Sequence, residues 1–207
     1  MRALPLALMI LLSPAAALAH PIHAEGSGFL AGLAHPLMGL DHLLAMLAVG
    51  LWASMVGGRA RWLFPAGFVL AMVLGGVVGT GGAALPIVEP AILASVIVLG
   101  AATALALRVP LALSIMLLAA FGLAHGHAHG VEGPVGLDMG YMLGFALATA
   151  ALHGAGLAVG QALGRGPAPV LARGLGVVVV ASGILLALTP ADAAPALAPA
   201  SLTSPVE

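Results

Sequence analysis

The chain has 207 residues, of which 62% are hydrophobic and 6% charged, with a formal net charge of −1, eight histidines and no cysteine. A soluble domain carries about a quarter charged residues, so an ordinary globular protein is excluded. The near-neutral balance excludes a basic nucleic-acid surface, and the lack of thiols excludes disulfides, iron–sulfur clusters and thiolate metal sites.

Residues 1–19 have the form of a secretory signal peptide. Arg2 is the charged start, Leu4 to Leu12 is a short apolar stretch, Ser13-Pro14 breaks it, and Ala17-Leu18-Ala19 is a small-residue cleavage site. Cleavage makes His20 the new N-terminus. Its α-amine and imidazole form a natural chelate with His23 close by, although Pro21 lacks the N–H that amino-terminal metal sites often add.

Candidate spans then run over about 28–56, 62–83, 87–107, 110–126, 137–161 and 171–189. The first is long and expected to break near Pro36, because a proline disfavours helix at the residue before it. Pro110 suits a helix first turn, where its missing N–H costs nothing. The fold predicted is all-α: a polytopic bundle of six transmembrane helices over 20–190, after a cleaved signal peptide. A Pro/Ala tail over 191–207 has the composition of a disordered segment.

Arginines orient the bundle. Arg59 and Arg61 fall between spans one and two, Arg108 between three and four, and Arg165 and Arg173 at the junction of five and six. Cationic loops stay cytoplasmic, so this alternation puts the mature N-terminus and the C-terminus on the outer side of the membrane. Gly67, Ala71, Gly75 and Gly79 recur every fourth residue, as do Gly140, Gly144 and Ala148, then Gly156, Gly160 and Gly164. Such rows let helix backbones approach closely, and they are compatible with a homo-oligomer in the bilayer.

Two stretches are at odds with the apolar background. One is His35-Pro36-Leu37-Met38-Gly39-Leu40-Asp41-His42, and the other His125-Gly126-His127-Ala128-His129-Gly130-Val131-Glu132. Imidazole and carboxylate dissolve poorly in lipid, so their presence in spans points to function. His35 and His42 would share a face if one helix ran through both, with Met46 a turn beyond. Asp41 could ligate a metal or instead hold an imidazole N–H and fix its tautomer. Met38 and Met46 read most simply as apolar filler. In the second stretch a helix puts His125 and His129 on one face and turns His127 away. An extended segment aligns all three, and Gly126 and Gly130 make a frayed outer end of span four credible. Glu132 is close enough to join. His153 lies deep in span five, and Glu89 heads span three as either cap or relay.

These donors suit a divalent transition metal moving through the bilayer as cargo, with no permanent cofactor and no enzymatic reaction. Two other readings use the same residues: an intramembrane zinc metallohydrolase held by three histidines, and a haem b electron carrier with His42 and His153 as axial ligands. The absence of a His-Glu-x-x-His helix counts against the first.

On His35-Pro36-x-x-Gly39-x-Asp41-His42 and His125-Gly126-His127-Ala128-His129-Gly130-x-Glu132, the chain resembles the HupE/UreJ family of bacterial membrane proteins. The resemblance covers about 28–189. It implies a nickel permease, or in some members a cobalt permease, serving the maturation of nickel–iron hydrogenase or urease. It also implies that His35, Asp41, His42, His125, His127 and His129 carry the metal.

Overall fold

A computed structural model describes residues 28–164 and 169–189 of the protein. The signal peptide, His20, His23 and the Pro/Ala tail expected from the sequence lie outside these residues. Every regular element among the described residues is helical.

Pro36 shapes the first of them. α1 (Phe29–Ala34) passes into one 3-10 turn over His35–Leu37 with Pro36 near its start, and Gly39 then leaves helical geometry at φ −96° and ψ 121°. α2 (Leu40–Val56) sets off at 84° to the preceding piece. The proline ring supplies no N–H to the turn before it, and the extended glycine completes the change of direction. His35 and His42 therefore do not share the face of one helix.

The remaining elements are α3 (Ala60–Gly79), α4 (Val88–Ala104), α5 (Leu111–Glu132), α6 (Met139–Leu163) and α7 (Pro169–Leu188). Four of these, α3, α5, α6 and α7, are long and apolar enough to cross a bilayer, and the bent pair α1–α2 makes up to five. α4 is shorter at 17 residues, or about 25 Å against a hydrocarbon core of about 30 Å. The architecture is thus an all-α polytopic membrane bundle.

Small residues set its closest contacts. α3 and α5 run parallel: a Cβ at Gly122, Gly126 or Gly130 would run into the carbonyl of Phe68, Met72 or Gly76. From the other side, one at Gly75 or Gly79 would meet the carbonyl of Leu123 or His127. α2 and α6 form a similar seam, where Gly50 lies against the His153 carbonyl and Gly156 against that of Leu47. In α1, Gly32 sits against the Tyr141 carbonyl. Helices in lipid associate by this kind of close fit.

This seam corrects the boundary expected at residue 126. α5 stays helical through Glu132, so the segment from His125 to Glu132 is neither extended nor a loop. Gly126 and Gly130 are there for contact with α3. Close packing of their backbones outweighs the low helix propensity of glycine.

At the opposite end, Arg59, Arg61, Arg108 and Arg173 are all exposed. Arg173 Nε donates to the Ala104 carbonyl at 2.8 Å, and Trp52 Nε1 donates to that of Leu107 at 2.9 Å. These bonds join the ends of α7 and α2 to the end of α4 and the turn that follows it.

Candidate functional site

The bend before α2 carries His35 and His42 onto the last two turns of α5. The His42 ring centroid lies 4.7 Å from that of His125 and 4.8 Å from that of His129, and His35 lies 4.8 Å from His129. His125 and His129 are 0% exposed and His42 8%, so this is an imidazole cluster inside an apolar bundle. His125 and His129 share a face of α5 because residues four apart on a helix do so. His127, half a spacing away, is buried but makes none of these ring contacts.

Three of the rings have one nitrogen engaged. His42 Nδ1 donates to Asp41 Oδ1 at 2.9 Å, and the same oxygen accepts the backbone N–H of His42 at 2.7 Å. Asp41 lies in the first turn of α2, where the helix dipole favours a negative charge. Gly39 leaves room for this pair, since a Cβ there would lie 2.8 Å from Asp41 Oδ1 and 3.0 Å from His42 Nδ1. His35 Nε2 donates to Glu132 Oε2 at 3.1 Å, with the Glu132 side chain 43% exposed, so the cluster reaches the surface there. His125 Nε2 lies 2.9 Å from Ser95 Oγ.

The opposite nitrogens are left over. His42 Nε2, His125 Nδ1 and both nitrogens of His129 are buried without a hydrogen-bond partner, as are the Tyr141 hydroxyl and both nitrogens of His153. Each such group costs about 1–3 kcal/mol when it is left without a partner. His129 stacks on Phe145 with centroids 5.0 Å apart and planes 20° apart. Among the described residues no three histidine, aspartate or glutamate side chains are set to hold an ion at one point. The His35–His129 and His42–His125 rings meet edge to face and the His42–His129 rings are tilted, a closed row rather than an assembled coordination shell.

His153, on α6, stands apart. Its ring meets Phe68 at 5.1 Å edge-on, and Phe68 lies 5.4 Å from His125, so a phenyl ring separates His153 from the cluster. Met38 is exposed and Met46 fully buried in the core. Glu89 is exposed in the first turn of α4 and is not its N-cap.

Several contributors escaped the sequence reading: Ser95, Phe68, Phe145 and Tyr141. Aromatic residues are only 4% of the chain, so each was conspicuous by rarity, and Ser95 is a polar residue inside an apolar span. Asp138 has a structural task. Its Oδ1 caps α6 by accepting the Tyr141 N–H at 3.0 Å, and its Oδ2 accepts the Gly28 N–H at 2.8 Å, tying α1 to α6. These two backbone donors hold its carboxyl below the ordinary aspartate range.

Comparison with known proteins adds to this geometry. The model of the family described as HupE / UreJ protein matches residues 7–186. Protein HupE of Rhizobium leguminosarum bv. viciae is 48% identical over 122 residues, covering 58% of this chain and 63% of that protein. The match thus spans a little under two thirds of the relative's length. No solved structure matches the chain.

Proposed function

This chain belongs to the HupE/UreJ family, and on that premise we propose that it is a bacterial inner-membrane permease for a divalent transition metal. Ni²⁺ is the first candidate cargo and Co²⁺ the second, and the recipients are nickel enzymes such as a hydrogenase or urease. The observation that carries this reading is the row of buried imidazole nitrogens without partners, on helices far apart in sequence. Neutral nitrogen and carboxylate oxygen donors suit Ni²⁺, and a chain without cysteine offers no soft thiolate site.

The ion passes along the row in our reading. Glu132 and His35, at the exposed edge, take the partly hydrated cation. His42 with Asp41, then His129 and His125, receive it, and His153 beyond Phe68 serves the inward half. His127, His20 and His23 would act in capture outside this row. Rotating a ring away from its neighbour opens a coordination position. Pairwise contacts keep each stage moderate, as conduction requires. The six-span count, with α4 as the short third span and both termini outside, belongs to the same proposal. So do the cleaved signal peptide and any homo-oligomer. Membrane potential, inside negative, favours cation uptake by about 2.3 kcal/mol per charge per 100 mV.

The test is ⁶³Ni accumulation by cells expressing the chain, with Co²⁺ and Zn²⁺ as competitors. We expect accumulation above that of vector-only cells, with Co²⁺ competing better than Zn²⁺. Accumulation no higher than in vector-only cells, with the protein present in the membrane, would overturn the proposal.

A further inference from the structure

Among the described residues, Ser95 is the hydrogen-bond partner that α4 brings to the imidazole cluster, and neither of the two histidine motifs contains it. It is 0% exposed. Its hydroxyl has a single proton, and two groups lie within reach: the Ile92 carbonyl at 2.6 Å and His125 Nε2 at 2.9 Å. A carbonyl can only accept, whereas an imidazole nitrogen can donate. The arrangement that makes both contacts hydrogen bonds gives the serine proton to Ile92 and turns Oγ toward His125 as an acceptor. His125 then carries hydrogen on Nε2 and a bare lone pair on Nδ1, the nitrogen that is buried without a partner.

His42 is arranged the same way with the nitrogens exchanged. Its Nδ1–H donates to Asp41, leaving Nε2 bare and without a partner. The two rings stand 4.7 Å apart and nearly perpendicular, at 84°. A carboxylate and a hydroxyl from different helices therefore do the same job, each occupying one nitrogen of a ring so that the other is free.

We infer that Ser95 is a positioning residue for the metal: by accepting the Nε2–H of His125 it fixes that ring's tautomer and makes Nδ1 its ligating atom, as Asp41 does for Nε2 of His42. This rests on the permease reading above and deepens it, because it brings α4 into the metal path and names the atoms that take the ion. An imidazole whose tautomer is set in advance binds without first moving a proton. Loss of such an orienting partner typically lowers metal affinity about 10–100-fold.

The experiment has two arms on the full chain. In the first, ¹⁵N NMR of the imidazoles in purified, metal-free protein identifies the protonated nitrogen of His125, assigned by loss of its signals in His125→Gln. We expect Nε2–H in the wild type and in Ser95→Thr, which keeps the hydroxyl, and a mixture of tautomers in Ser95→Ala. In the second arm, ⁶³Ni uptake gives the half-saturating concentration. It should rise about 10–100-fold in Ser95→Ala with the maximal rate much less affected, and stay near wild type in Ser95→Thr. A wild-type His125 protonated on Nδ1 overturns the inference. So does a Ser95→Ala protein with unchanged tautomer and unchanged half-saturation. If Ser95→Ala does not reach the membrane, the wild-type tautomer and the Ser95→Thr uptake still decide. Wild-type protein that takes up no Ni²⁺ sinks the permease reading, and the positioning role with it. A wrong tautomer alongside normal wild-type uptake sinks only the inference.

Discussion

The two ends of the bundle use polar side chains in opposite ways. At the arginine end they are exposed, or else they bond to main-chain carbonyls: Arg173 to Ala104, Trp52 to Leu107, Ser54 to Leu51. At the histidine end several bond to one another, from the exposed edge inward: Glu132 to His35, Asp41 to the buried His42, and the buried Ser95 to His125. The first pattern finishes helices and anchors them. The second leaves nitrogens unused, and unused buried donors are what the proposed transport path needs. Apolar helices of similar composition run between the two ends, so the difference in role comes from where a few polar groups sit and what each one faces.

The largest test of this contrast lies at the histidine end. His42→Ala and Asp41→Ala should each reduce ⁶³Ni accumulation to the vector-only level while membrane insertion, followed by blotting of membrane fractions, stays normal. Full uptake in both would mean that the cluster is only structural. A protonated imidazole has no lone pair to give, so wild-type uptake should also weaken as pH falls through about 6. Asp138 does not confound that profile. Its carboxyl is held below its ordinary range by the Tyr141 and Gly28 N–H groups, so its contribution is complete above the unfolded value and is lost only as pH falls through the lower folded one. A decline near pH 6 is therefore not an Asp138 effect, and a flat profile would argue against ligation by histidine.

Next in size is the glycine seam. Gly126→Val would drive a side chain into the Met72 carbonyl and should cost at least about 1–3 kcal/mol, read as a lower melting temperature in detergent. Gly174→Ala in α7, where a Cβ meets nothing within 4 Å, is the matched control and should change stability by no more than about 0.5 kcal/mol. Equal losses at both positions would deny the seam its special role.

The arginine end should respond least. Trp52→Phe removes one hydrogen bond to Leu107 and should cost about 1 kcal/mol of stability without changing the half-saturating metal concentration. Arg108→Gln, on an exposed side chain, should alter neither by more than about 0.5 kcal/mol, as measured by melting and by uptake. A marked uptake defect in Arg108→Gln would show that the cationic end also handles the ion.

Membrane character, the helical class and the positions of most helices were legible along the chain, because apolar runs and arginine-bearing turns are local features. The two histidine motifs were legible for the same reason: a polar group in an apolar span is visible without knowing what it faces. The role of Gly126 and Gly130 was not legible there. Read along the chain, glycines between histidines suggest a frayed end. In the bundle they are the surface on which α3 lies, and they keep α5 helical through Glu132.

Sequence alone thus determined a helical membrane bundle, the candidate donors and the separation of cationic from histidine-bearing ends, since these follow from solvation and helical period residue by residue. Only the tertiary structure decided which donors meet. The 84° turn before α2 brings His35 and His42 to the same neighbour, His129, and α4 delivers Ser95 to His125. The helical register of α5 leaves His127 out of the row, and Phe68 parts His153 from it. Those outcomes depend on the angles and separations at which helices cross, which close contact of small residues sets across stretches remote in the chain.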